Sequence, residues 1–106
     1  MDAPEAILII DPDERRRAFT RDVLDRAGYD VRAADGEGRA AGLLGGWRPG
    51  AVVAATPPTV AGLAGCPVVM MAAAGMSVFP RRRLVAVAAP FDHADLLAAV
   101  WVALNP

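Results

Sequence analysis

The chain of 106 residues contains no lysine, one cysteine and one histidine, and each shortage excludes a kind of chemistry. All eleven basic residues are arginine, so no lysine amine is available for a Schiff base or as a general base. A single Cys66 cannot form an intrachain disulfide, and Cys66 and His93 are together too few for a Cys/His zinc site. We therefore expect neither a metal site nor a cofactor.

Charge is modest and long hydrophobic runs are missing. Charged residues make up 22% of the sequence and leave a net charge of −1, which argues against a strongly basic nucleic-acid-binding protein. The longest apolar run, 96–104, has nine residues, whereas a membrane-spanning helix needs about 20. The acidic start does not resemble a secretory signal. We expect one cytoplasmic domain covering residues 1–106.

Short β-branched runs alternate with helical segments along this domain. Apolar runs predict four strands, 6–10, 51–55, 67–71 and 84–88, and the alternating segment 29–34 predicts a fifth strand with one partly solvated face. Asp11 is predicted to be the N-cap of a helix over about 12–27, which Gly28 ends. Asp92 is predicted to cap a last helix over 93–104.

The connections between these strands complete the predicted architecture. Asp35 is expected to cap a second helix that reaches about Leu44 and that several glycines shorten. The segments 56–66 and 72–83 are near the minimum length for a parallel crossover, so helices there should be short or absent. The alternation predicts a flavodoxin-like three-layer α/β sandwich with a five-stranded parallel sheet.

Six stretches follow one another in a characteristic order: 7–14, 27–31, 33–36, 48–53, 67–70 and 88–92. Together they resemble the receiver domain of bacterial response regulators over nearly the whole chain. That resemblance implies a magnesium site with an acidic pair after the first strand and a phosphorylated aspartate ending the third. Asp11 keeps the first acidic position, but Pro12 takes the second, and the phosphoacceptor position falls on Ala55.

Three further functional positions of receivers are also alanine here. The hydroxyl residue falls on Ala72, the lysine on Ala89 and the aromatic switch residue on Ala86. Alanine supplies no nucleophilic oxygen, cation or metal ligand, so the resemblance implies that phosphoryl transfer is impossible in this chain. Asp11 and Asp13 would be vestiges of the acidic pocket, although Asp11 has a simpler interpretation as a helix cap.

The last helix has no polar residue on any face between 96 and 104. One side, with Leu97, Val100 and Leu104 and help from Leu96, is expected to cover the sheet, while Ala99 and Trp101 point away from it. An exposed tryptophan in an apolar patch favours a protein contact. The predicted surface of the last helix and fifth strand consists of Val85, Val87, Ala99, Trp101 and Leu104. Alternatively, the domain's own loops or a further C-terminal domain cover this helix.

Two functions of different classes fit these features. The first is a phosphorylation-independent protein-interaction module in signal transduction or transcriptional regulation, binding a protein partner or forming a homodimer, without enzymatic activity. The second is a small flavodoxin-like ligand-binding domain or enzyme that uses the crevice at the carboxyl ends of the strands. The arginine triplets 15–17 and 81–83 are expected at opposite ends of the sheet, so no direct nucleic-acid contact is predicted.

Overall fold

The computed structural model describes residues 4–55, 63, 65–72, 84–88 and 91–105. Its elements follow in the order β1 (Ala6–Ile10), α1 (Glu14–Arg26), β2 (Asp30–Ala34), α2 (Glu37–Leu43), β3 (Ala51–Ala54), β4 (Val68–Ala72), β5 (Leu84–Ala88) and α3 (His93–Leu104). The strands form one five-stranded sheet in the order β2-β1-β3-β4-β5, and every pairing is parallel. This order is the flavodoxin-like one, so the predicted sheet is confirmed.

Helices cover both faces of the sheet. Because successive side chains of a strand point to opposite faces, β1 contributes to two separate apolar cores. Ile7 and Ile9 pack with Leu24 of α1 and with α3 in one core. Leu8 and Ile10 pack with α2 in the other. The predicted three-layer arrangement is therefore present, and β1 lies between the two cores.

Helix α1 begins two residues later than the sequence predicts. Its N-cap is Asp13, whose Oδ1 accepts the backbone N–H of Arg16 at 3.0 Å. The prediction that Asp11 is the N-cap is wrong, because Oδ1 of Asp11 instead accepts the backbone N–H of Asp13 at 2.9 Å. That bond closes a turn around Pro12 before the helix starts. The predicted end is confirmed, since Gly28 follows the helix with a φ of 96°.

The other two helices differ in how they are capped. Helix α2 has only seven residues, as expected, but its N-cap is Gly36 and not Asp35. The Asp35 carboxylate lies 3.9 Å from Arg39 in an exposed ion pair. Helix α3 has the predicted cap: Asp92 accepts the backbone N–H of Asp95 at 2.9 Å, and Asp95 accepts that of Asp92 at 3.2 Å.

The two short crossovers lie largely outside the described residues. The expectation that their helices are short or absent therefore stays a prediction. None of the helices that the structure describes is long and apolar enough to cross a membrane.

Candidate functional site

The carboxyl ends of the parallel strands meet at one edge of the sheet. Asp11 follows β1, Ala55 follows β3, and Ala72 and Ala88 end β4 and β5. The backbone N–H of Ala55 donates to the carbonyl oxygen of Ile10 at 3.2 Å. The fold thus places Ala55, the position matched to the phosphoacceptor, beside the end of β1 and next to Asp11.

Asp11 is fully buried, and other parts of the chain provide its hydrogen-bond donors. Arg16 donates from Nε to Oδ2 at 2.5 Å and from Nη2 to Oδ1 at 2.7 Å. The backbone N–H of Asp13 also donates to Oδ1, and Nη1 of Arg17 donates to the Asp11 carbonyl oxygen at 2.9 Å. A buried carboxylate is costly unless it is paired and hydrogen-bonded. Here both requirements are met within a few residues of chain.

Asp13, the second residue of the predicted acidic pocket, is exposed and acts as the cap of α1. The pKa of its carboxyl is lowered, first by the hydrogen bond from the backbone N–H of Arg16 and then by the charge of the Arg16 guanidinium. The pKa of Arg16 is raised, chiefly by its hydrogen bond to Asp11. The two aspartates therefore have different roles and do not form a paired set of metal ligands.

The donor set at this edge does not fit the magnesium site that the resemblance implies. Magnesium requires near-octahedral oxygen coordination, usually including one or two carboxylates. Pro12 offers no side-chain oxygen, Ala55 offers only a methyl group, and both oxygens of Asp11 accept from Arg16. Among the residues that the structure describes, no group of three or more His, Cys, Asp or Glu could hold a metal ion.

The pairing of Arg16 with Asp11 is not predicted from the sequence, where 15–17 is treated only as a basic triplet near one end of the sheet. Only Arg15 of this triplet is exposed. Arg16 and Arg17 turn back over the preceding turn and reach Asp11. A strand-end aspartate followed five residues later by an arginine in the first helical turn was the available signal.

Helix α3 presents a different face to the sheet than the sequence suggests. Its buried residues are Leu96, Ala99, Val100 and Ala103, spaced i, i+3, i+4 and i+7 as on one helical face. The prediction that Ala99 points outward is therefore wrong: it is only 7% exposed. Val87 is also buried in the core that α3 covers.

The exposed side of α3 is narrower than the predicted surface. Trp101 is 61% exposed and Val102 is 50% exposed, and Ala98 lies one turn before them on the same side. Val85 and Leu104 are partly buried and pack against the core. We call Ala98, Trp101 and Val102 the α3 patch; it keeps Trp101 from the predicted set and adds two residues.

An open groove of about 430 Å³ runs between α1 and α3. Its lining residues are Phe19, Asp22, Val23, Arg26, Ala27, His93 and Leu97. Phe19 is 42% exposed and its ring lies 6.3 Å from that of Phe91, tilted by 51°. Asp22 and Arg26 pair with each other at 3.1 Å. The groove lies between two helices that pack in the same core on one face of the sheet.

Comparisons with known proteins agree with this architecture. The chain superposes on a response regulator receiver protein from Sinorhizobium medicae with a TM-score of 0.77 and 23% identity, covering 96% of this chain and 95% of that one. The chemotaxis protein CheY4 of Vibrio cholerae gives a TM-score of 0.76 at 18% identity, covering 96% of this chain and 100% of that one. The receiver domain of the hybrid histidine kinase CckA gives 0.73 at 17%, covering 94% and 99%.

No protein-family model and no curated sequence matches the chain. At the identities of the solved structures, the likeness shows the fold alone. The chain therefore has the CheY-like receiver fold, a flavodoxin-like α/β sandwich with a parallel sheet.

Proposed function

We propose that this chain is a degenerate receiver domain, a protein-interaction module of signal transduction or transcriptional regulation that works without accepting a phosphoryl group. The observation that carries the proposal is Ala55. It follows β3 at the edge of the sheet, beside Asp11, where the resemblance to receivers calls for the phosphorylated aspartate.

The chemistry of an aspartyl phosphate supports this interpretation. Its formation needs a nucleophilic carboxylate, a metal ion held by further carboxylates and a cation against the developing charge. The methyl group of Ala55 cannot attack phosphorus. The neighbouring carboxylate of Asp11 is buried and bonded to Arg16 at 2.5 and 2.7 Å, so it is a poor substitute as nucleophile or as metal ligand.

Intact-mass measurement after incubation with acetyl phosphate and Mg²⁺ tests this part. We expect the mass to stay unchanged under conditions in which an ordinary receiver domain gains one phosphoryl group. A single phosphoryl adduct that disappears in Asp11→Asn would overturn the proposal, because it would show that Asp11 has taken the role of the missing acceptor.

The α3 patch is the surface through which we propose that the module acts. Trp101 and Val102 expose apolar side chains next to the small Ala98, and tryptophan is enriched among the residues that dominate binding energy. Helix α3 packs on β5, the last strand in the sheet that the described residues form. A protein partner, in the simplest case a second copy of the chain, is the proposed occupant.

Light scattering tests the homodimer. We expect a dimer mass for the wild type and a monomer mass for Trp101→Ala, because the indole is the largest and most exposed apolar side chain of the patch. Phe19→Ala is the matched control, since it truncates another exposed aromatic residue on a different helix and should leave the dimer intact. A monomeric wild type refutes the homodimer, and equal dimer masses for all three proteins refute an interface that depends on Trp101.

The alternative of a ligand-binding domain or enzyme at the strand-end crevice gains no support. The solved structures that the chain resembles are receiver proteins and receiver domains, not flavodoxin-like enzymes. We therefore propose no enzymatic activity and no cofactor. We also propose that the protein is located in the cytoplasm, as the sequence leads us to expect.

A further inference from the structure

Asp11 differs from the other paired carboxylates of the described residues in its surroundings. The partners in the Asp22–Arg26 and Asp35–Arg39 pairs are all exposed side chains one helical turn apart. The Asp11 carboxylate is completely removed from solvent, whereas the side chain of Arg16 is 38% exposed. Arg16 therefore reaches inward from the surface and covers a buried negative charge.

The geometry of this pair is a fork. Nε and Nη2 of one guanidinium each donate to a different carboxylate oxygen, the bidentate arrangement that suits a planar guanidinium and that a lysine ammonium cannot reproduce. The backbone N–H of Asp13 and the side chain of Arg17 add donors around the same residue. Four hydrogen bonds thus join the end of β1 to the start of α1.

We propose that Asp11 forms an internal guanidinium-binding site, which Arg16 fills as a tethered cation. The arginine supplies the positive charge that the resemblance to receivers would assign to a magnesium ion at this edge. A divalent ion would have to displace a bidentate arginine carried by the same chain. The crevice is consequently independent of metal ions, and the first turn of α1 is fixed to the sheet.

The Asp11–Arg16 pair lies apart from the α3 patch and involves no partner, so a measurement of folding tests it. The variant Arg16→Ala removes the tethered cation. Asp11 is then left buried without its bidentate partner, so we expect Tm to fall by at least about 10 °C. Arg15→Ala is the matched control, since it makes the same change at an exposed position of the same helical turn and should leave Tm nearly unchanged.

A free guanidinium ion should re-enter the emptied site. About 20 mM guanidinium chloride, which is too dilute to denature, is expected to restore part of the lost Tm of Arg16→Ala, while equal NaCl does not. The double variant Asp11→Asn/Arg16→Met removes both charges. It should fold and should show no response to guanidinium. If Arg16→Ala does not fold, a folded double variant supports the proposal and an unfolded one contradicts it.

Other results would overturn the tethered cation. Equal Tm values for Arg16→Ala and Arg15→Ala would show that the fork has no structural role. Equal recovery in NaCl and in guanidinium chloride would indicate general screening of charge. A saturable rise of the wild-type Tm with Mg²⁺ that Asp11→Asn abolishes would show that a metal displaces Arg16.

Discussion

The orientation of α3 gives the sharpest prediction, because two adjacent alanines differ only in the side of the helix that they occupy. Ala98 is exposed, whereas Ala99 is 7% exposed and packs in the core. Replacing either by glutamate costs about 0.4 kcal/mol in helix propensity, and this cost cancels in the comparison. The remaining difference measures burial of a carboxylate.

For Ala99→Glu, the carboxylate would enter the core without a partner. An uncompensated buried charge costs roughly 3–5 kcal/mol, and the small remaining exposure of Ala99 favours the lower end. That is a large part of the total stability of about 5–15 kcal/mol expected for a small domain. With a urea m-value of about 1.5 kcal/mol/M, the unfolding midpoint should fall by roughly 2 M. Ala98→Glu should stay within about 0.5 kcal/mol of the wild type after the propensity correction.

Urea unfolding followed by circular dichroism measures both variants. If Ala99→Glu does not fold, the pair Ala98→Leu and Ala99→Leu replaces it, with overpacking expected to cost about 1–3 kcal/mol only at position 99. Equal midpoints for the two members of a pair would refute the buried face of α3. A larger loss at position 98 would show that α3 is rotated about its axis relative to the structure.

Three further perturbations test other parts of the structure. The Thr20 hydroxyl is buried and has no hydrogen-bond partner among the described residues. Thr20→Val should therefore raise the free energy of unfolding by about 1 kcal/mol. A decrease of the same size would indicate that the hydroxyl has a partner. Gly28 has a φ of 96°, so Gly28→Ala should destabilise the protein by about 1 kcal/mol. Gly42→Ala within α2 should instead stabilise it by roughly 0.5–1 kcal/mol. Urea unfolding should therefore give changes in the free energy of unfolding of opposite sign for the two variants. The pKa of Asp92 lies below its usual 3.8, chiefly because its carboxylate accepts the backbone N–H of Asp95. Its stabilising effect is therefore present above that value and is lost as the pH falls further, so Asp92→Asn, which keeps a capping side chain, should show a shallower loss of Tm in acid.

Strands and their order could be predicted from local patterns. The run from Ala6 to Ile10 is β-branched and uninterrupted, and it forms β1 with the predicted bounds. The Asp92 cap and the glycine after α1 are signals confined to a few residues, and both are confirmed. Alternation of strands and helices was enough to indicate the doubly wound topology.

The start of α1 depends on a side-chain pair five residues apart, and the outward face of α3 depends on packing against the sheet. Both Asp11 and Asp13 are good N-cap residues, and burial of Asp11 against Arg16 decides between them. In α3, nine consecutive apolar residues carry no periodicity from which an inner face could be chosen. Packing of α3 against the sheet buries Ala99 and leaves Trp101 exposed.

The central claim is that the strand-end crevice around Ala55 takes no phosphoryl group. Its most direct test is an NMR titration of the backbone amides with Mg²⁺ and beryllofluoride, a mimic of the phosphoryl group. We predict that the amides of Ala55, Asp11 and Ile10 keep their chemical shifts at every concentration. Saturable shifts centred on Ala55 that require both reagents would contradict the account.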